Sequence, residues 1–116
     1  MPLLFSYGTL RDPAVQLRVF GRTLPGTADH LLGFAQTSFE VRHPAFVAVN
    51  GSRHAIVQHT GRDEDRTPGT VFELTDRELA MGDAYEPAGY RRVAVRFASG
   101  REGWVYADAD SGGALP

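Results

Sequence analysis

About six or seven short β-prone runs are crowded into 116 residues, most of them separated by turn residues rather than by helices. That density constrains the architecture more than any other feature. Strands joined by tight turns pair antiparallel. A sheet of many short strands in one small chain must also dispose of its edges, and partial closure into a barrel does so. The expected fold class is therefore α+β: a small mixed, mostly antiparallel β-barrel with two short helices. The expected organisation is one domain over residues 1–107 and a small, polar, glycine-rich tail over 108–116.

The segments follow from local chemistry. Residues 3–6 form a short apolar strand, and Gly8 marks a turn after it. Asp12-Pro13 starts a helix, with Asp as N-cap and Pro in the first helical position, and Gly21 stops it. Residues 26–41 form strand with irregularities, where Gly33 points to a bulge or a close backbone approach. Residues 46–49 are β-rich, Asn50-Gly51 is a hairpin signal, and 54–60 pairs back. A charged loop tip over 61–68 leads to a strand over 69–74. Thr75-Asp76-Arg77-Glu78 is a capping box flanked by Leu74 and Leu79 at the staple positions. Pro87 ends this second helix by pushing residue 86 out of helical geometry. Over residues 90–98, Val93, Val95 and Phe97 share one face. Trp104 and Tyr106 alternate against Val105 in the strand that closes the pair.

Composition removes several chemistries. There is no cysteine, which excludes disulfides, thiolate metal sites and a cysteine nucleophile. There is no lysine either, so all 12 basic residues are arginine, and Schiff-base chemistry and a P-loop lysine are excluded. A net charge of -2 provides no basic field for nucleic acid. No run approaches the ~20 apolar residues that span a bilayer, and the N-terminus has no basic leader. No membrane or nucleic-acid partner and a soluble, cytoplasmic setting are expected. His54 and His59 are five apart on one expected strand, face opposite sides, and cannot chelate one metal. Ser6 has no Gly-x-Ser-x-Gly elbow. Phe72, Phe97, Trp104 and Tyr106 have strand spacing and belong to the core.

Two features could carry chemistry. Counting from Leu79 on the second helix, positions i+3, i+4 and i+7 are Gly82, Asp83 and Glu86, which share one stripe. A carboxylate turned toward the interior loses hydration and its pKa rises, which suits a general base or acid near neutral pH. The alternative is a solvated carboxylate, or one paired with Arg91 or Arg92. Gly82 in that stripe points to close approach of another backbone. The second feature is Tyr7-Gly8-Thr9-Leu10. Successive backbone N–H groups at such a turn can hold an anion or a polarised carbonyl oxygen; the alternative is a plain strand-to-helix turn.

Phe5-Ser6-Tyr7-Gly8-Thr9-Leu10-Arg11, together with Asp83-Ala84-Tyr85-Glu86 and the following Tyr90-Arg91-Arg92-Val93, resembles the gamma-glutamylcyclotransferase-like family. The resemblance covers residues 2–107. It implies a cofactor-independent reaction on a small-molecule γ-glutamyl substrate: the substrate's α-amine attacks its own γ-carbonyl, releasing 5-oxoproline and an amine or amino acid. By the same resemblance Glu86 is the catalytic acid/base, and Tyr7, Gly8, Thr9, Leu10, Asp83 and Tyr90 line the substrate pocket. No metal is implied. Many members have Gly after the Glu; here Pro87 constrains Glu86 and removes a backbone donor. A non-catalytic module that binds an amino-acid-like ligand on the same fold is the competing expectation.

Overall fold

The computed structural model describes residues 1–40, 53–86 and 89–109. The expected strand over 46–49, the Asn50-Gly51 hairpin, Pro87 and the tail beyond 109 lie outside them.

Strand β1 (Leu3–Ser6) leads through a 3-10 turn (Thr9–Arg11) into helix α1 (Pro13–Phe20). The Asp12 side chain accepts from the Ala14 N–H at 2.9 Å, and Gly21 takes a left-handed φ of 77° at the C-cap. Then come β2 (Gly26–Leu32), β3 (Phe34–Glu40), β4 (Arg53–His59), β5 (Arg66–Glu73), α2 (Asp76–Tyr85), β6 (Tyr90–Arg96) and β7 (Glu102–Asp108). The capping box of α2 is present in both directions: Glu78 N–H donates to Thr75 Oγ1 at 3.1 Å, and Thr75 N–H donates to Glu78 Oε1 at 2.8 Å. Glu78 also accepts two hydrogen bonds from Arg22, at 2.7 and 2.8 Å, which ties the start of α2 to the end of α1.

Five strands form one sheet in the order β2-β5-β1-β7-β6, and β3-β4 form a second. Among the described residues all pairings are antiparallel except β1 with β7, where Leu4 faces Trp104 and Phe5 faces Val105. The outer strands of the large sheet meet at one end through the Leu31–Phe97 bridge and a hydrogen bond from Ala98 N–H to His30 O at 2.8 Å. Among the described residues the outer strands thus meet at one bridge rather than along a full ladder, and the expected barrel is a twisted sheet touching itself at one end.

Two expectations change. Gly33 is a joint between the two sheets rather than a bulge within one strand. Its φ is +79°, and its carbonyl accepts from Thr60 and Gly61 at 2.8 and 3.2 Å, so the close backbone approach is real. Strand β4 pairs along its length with β3, from Phe34–His59 to Glu40–Arg53; the partner expected for it over 46–49 lies outside the described residues. Strand β5 begins inside the expected loop, at Arg66. Pro68 is tolerated there because β5 pairs at that point only with His30 of β2; β1 joins from Thr70 onward.

The large sheet buries both faces. Phe5, Leu31, Phe34, Val57, Val95, Phe97 and Val105 pack between it and the β3–β4 pair. Leu4, Phe20, Leu24, Phe72, Leu74, Leu79 and Tyr106 pack between it and the helices. Central β1 therefore opens with an apolar run, Leu3-Leu4-Phe5, with Leu4 facing the helices and Phe5 the β3–β4 pair.

Candidate functional site

The helix α2 ends at Tyr85, and Glu86 turns out of it with φ −67° and ψ 135° while its N–H still reaches Gly82 O at 3.1 Å. This is the geometry that a following proline imposes. The turn directs Glu86 into a pocket of about 60 Å³, lined also by Phe5, Ser6, Tyr7, Gly8, Thr9, Leu10, Ala55, Tyr90 and Tyr106. Among the described residues no ion pair reaches the Glu86 carboxylate, and burial alone pushes its pKa up to about 8.

Asp83, three residues earlier, has the opposite fate. It accepts two hydrogen bonds from Arg92, at 2.8 and 3.1 Å, and one from the Tyr106 hydroxyl at 2.8 Å. Burial works against its charge, but the Arg92 and Tyr106 hydrogen bonds outweigh it and hold the carboxyl below its usual range. Asp83 lines an outer cavity and not the inner pocket. The pairing considered from the sequence thus applies to Asp83 and Arg92, while Glu86 is the carboxylate that loses its water. Gly82 admits a side chain rather than a backbone: a Cβ there would lie 2.7 Å from the Tyr106 hydroxyl oxygen.

The loop after β1 forms the opposite wall. Gly8 N–H donates to Ser6 Oγ at 3.3 Å, so it does not face the pocket unpartnered. The N–H groups of Thr9 and Leu10 open the 3-10 turn, where intrahelical partners are missing by construction. Thr9 Oγ1 lies 3.1 Å from the Tyr85 hydroxyl, joining the loop to the helix end that carries Glu86. A Cβ on Gly8 would meet nothing within 4 Å.

Two phenols bolt β4 over the pocket. Tyr7 donates its hydroxyl proton to Tyr106 O at 2.6 Å and accepts from Val57 N–H at 3.2 Å. Tyr90 donates to Ala55 O at 2.6 Å. Burial, more than any neighbour, pushes the Tyr7, Tyr90 and Tyr106 phenols well above their usual values. They act as neutral hydrogen-bonding groups at any ordinary pH.

The fold thus gathers Tyr7, Gly8, Thr9, Leu10, Glu86 and Tyr90 at one pocket and leaves Asp83 behind Tyr106. Sequence reasoning missed Ala55 and the pocket-lining role of Tyr106. Neither carries a local signal, because each reaches the pocket through a strand distant in sequence. Among the described residues no three His, Asp or Glu side chains converge as a metal site, and no helix is long and apolar enough to cross a membrane.

A sequence profile described as gamma-glutamyl cyclotransferase, AIG2-like, matches residues 4–113. The chain belongs to this family. Curated protein sequences yield no match. Among solved structures, an Arabidopsis thaliana protein determined in solution superposes with TM-score 0.69 at 20% identity, over 95% of this chain and 63% of its own. The chain thus spans less than two thirds of that relative's length. A Pyrococcus horikoshii protein without assigned function has TM-score 0.65 at 18% identity, over 97% of this chain and 83% of its own. A structure titled gamma-glutamyl cyclotransferase has TM-score 0.66 at 18% identity, over 96% of this chain and 68% of its own. At these identities the superpositions establish the gamma-glutamyl cyclotransferase-like fold.

Proposed function

We propose that the pocket cyclises a γ-glutamyl amide to 5-oxoproline with release of an amine, using Glu86 as the proton carrier. The observation that carries this reading is a single one: a carboxylate without a cationic partner among the described residues, raised to about 8, sharing a pocket with the Tyr7–Leu10 loop. A carboxylate of that basicity can take the proton an α-ammonium must lose before its nitrogen attacks. The nitrogen then bonds to the γ-carbonyl carbon, Glu86 hands its proton to the departing nitrogen as the amide C–N bond breaks, and the freed carboxylate takes the surplus proton from the ring nitrogen and passes it to the released amine or to solvent. Nucleophile and electrophile belong to one molecule, so holding the glutamyl chain in a ring-closing pose supplies much of the acceleration. The N–H groups of Thr9 and Leu10 are the donors suited to the glutamyl carboxylate or the developing oxyanion. No step in this reaction calls for a metal or organic cofactor.

The test is to incubate the protein with a panel of γ-glutamyl amides and measure 5-oxoproline and free amine, with Glu86→Gln alongside. Product from the unaltered protein that falls to near background in the variant supports the reading. Tight binding without product would instead identify a ligand-binding module.

A further inference from the structure

Five of the described residues lining the inner pocket carry a hydroxyl: Ser6, Tyr7, Thr9, Tyr90 and Tyr106. The three phenols commit their protons to the protein. Tyr7 donates to Tyr106 O, Tyr90 to Ala55 O, and Tyr106 to Asp83 Oδ1. Thr9 Oγ1 shares a hydrogen bond with the Tyr85 hydroxyl. Ser6 differs from all four. Its Oγ accepts from Gly8 N–H at 3.3 Å, which engages a lone pair and leaves the hydroxyl proton over. Among the described residues no acceptor takes that proton. Glu86 does not, since burial alone accounts for its raised pKa.

Ser6 is 7% exposed, so bulk solvent barely reaches its side chain. Side chains alternate along β1: Leu4 packs toward the helices and Phe5 toward the β3–β4 pair. Ser6 therefore turns to the helix side, where α2 delivers Glu86. A buried hydroxyl with its proton unplaced in a pocket wall is a donor kept for a ligand. A glutamyl end brings a carboxylate into this pocket, and none of the described lining residues is basic. That anion loses water on entry and must be held by neutral donors alone. A hydroxyl donating to an ionised oxygen makes a short, strong bond.

We propose that Ser6 Oγ–H donates to the α-carboxylate of the glutamyl group, acting with the Thr9 and Leu10 N–H groups as a third donor. This rests on the cyclotransferase reading above and adds a substrate contact outside the Tyr7–Leu10 loop.

Two ligands isolate the contact: 5-oxoproline, and 2-pyrrolidinone, the same lactam without the carboxylate. In NMR-monitored titrations Ser6→Ala should weaken 5-oxoproline by about tenfold or more and leave 2-pyrrolidinone unchanged. Ser6→Thr, which keeps the hydroxyl, should restore most of the affinity. With a γ-glutamyl amide as substrate, the KM of Ser6→Ala should rise by a similar factor while kcat holds. Equal weakening of both ligands would make Ser6 a prop for Gly8, and a fall in kcat at constant KM would place its proton on the oxyanion. Either result, or 5-oxoproline affinity that Ser6→Ala leaves intact, or no binding of 5-oxoproline by the unaltered protein, overturns the proposal and leaves the cyclotransferase reading standing. If 2-pyrrolidinone fails to saturate, recovery in Ser6→Thr decides, and its absence overturns the proposal. If 5-oxoproline binding depends on the Ser6 hydroxyl but no γ-glutamyl amide is turned over, the contact stands and the cyclotransferase reading fails.

Discussion

The Tyr106 hydroxyl reaches Asp83 Oδ1 at 2.8 Å through the notch that Gly82 leaves in α2. The same oxygen lies 3.4 Å from Leu79 O, so strand β7 grips the last turns of the helix directly before Glu86 departs from it. Arg92 holds Asp83 from β6. The placement of the proposed proton carrier thus depends on α2, β6 and β7 meeting at one carboxylate, that of Asp83.

Filling the notch tests that dependence. Gly82→Ala should gain about 1 kcal/mol of helix propensity and lose about 1–3 kcal/mol to the clash with Tyr106. A net fall in thermal stability, with reduced cyclisation, is the expected result. Tyr106→Phe keeps the ring and removes the hydrogen bond, at about 1 kcal/mol. Stability unchanged in both variants would mean that the phenol does not secure the helix.

Replacing Glu86 by Gln should lower kcat/KM by about 10²–10⁴-fold, the range for lost acid–base assistance. In the unaltered protein, activity should rise with pH and level off above an inflection near 8, because the unprotonated carboxylate is the active base. A profile flat from about pH 6 to about pH 9, or turnover preserved in the variant, would assign the proton transfer elsewhere.

Glu86 also makes a signed prediction for stability. Its folded pKa, about 8, lies above its ordinary 4.5, so the folded state favours the protonated form. Its stabilising share is complete below 4.5 and declines as pH rises through about 8. Denaturation midpoints measured across that window should fall with pH in the unaltered protein and fall less in Glu86→Gln.

Glu78 has the reverse sign. Hydrogen bonds from Arg22, against some burial, and then from Thr75 hold its pKa at about 2. Its contribution is present above 4.5 and is lost as pH falls toward 2. Glu78→Gln should flatten that acid limb of the stability curve, and Thr75→Ala should cost about 1 kcal/mol at neutral pH through the lost cap. Chemical denaturation at several acidic pH values measures both.

Gly8→Val separates fold from ligand. A Cβ at this position meets no protein atom within 4 Å, so the melting temperature should barely move. A ligand held against the loop would be displaced, which raises KM. An unchanged KM would remove the loop from the site.

Local chemistry settled much of the architecture in advance. The caps at Asp12 and Thr75, the stop at Gly21 and the exit at Glu86 depend on residues within about four positions of one another, and all are present. The alternation of Val93, Val95 and Phe97 against Arg92 and Arg96 likewise named the buried face of β6. What no local pattern contains is which distant strand arrives beside which. Asp83 and Glu86 are three residues apart on an apparently equivalent stripe. Their charges diverge because Arg92 and Tyr106 come from β6 and β7 to meet the first and no cation among the described residues meets the second. The parallel insertion of β7 against β1 and the seating of β4 by Tyr7 and Tyr90 also join residues dozens of positions apart. Hydration and hydrogen bonding at a carboxylate are set by those through-space neighbours, so its chemistry belonged to the tertiary structure while its position along the chain belonged to the sequence.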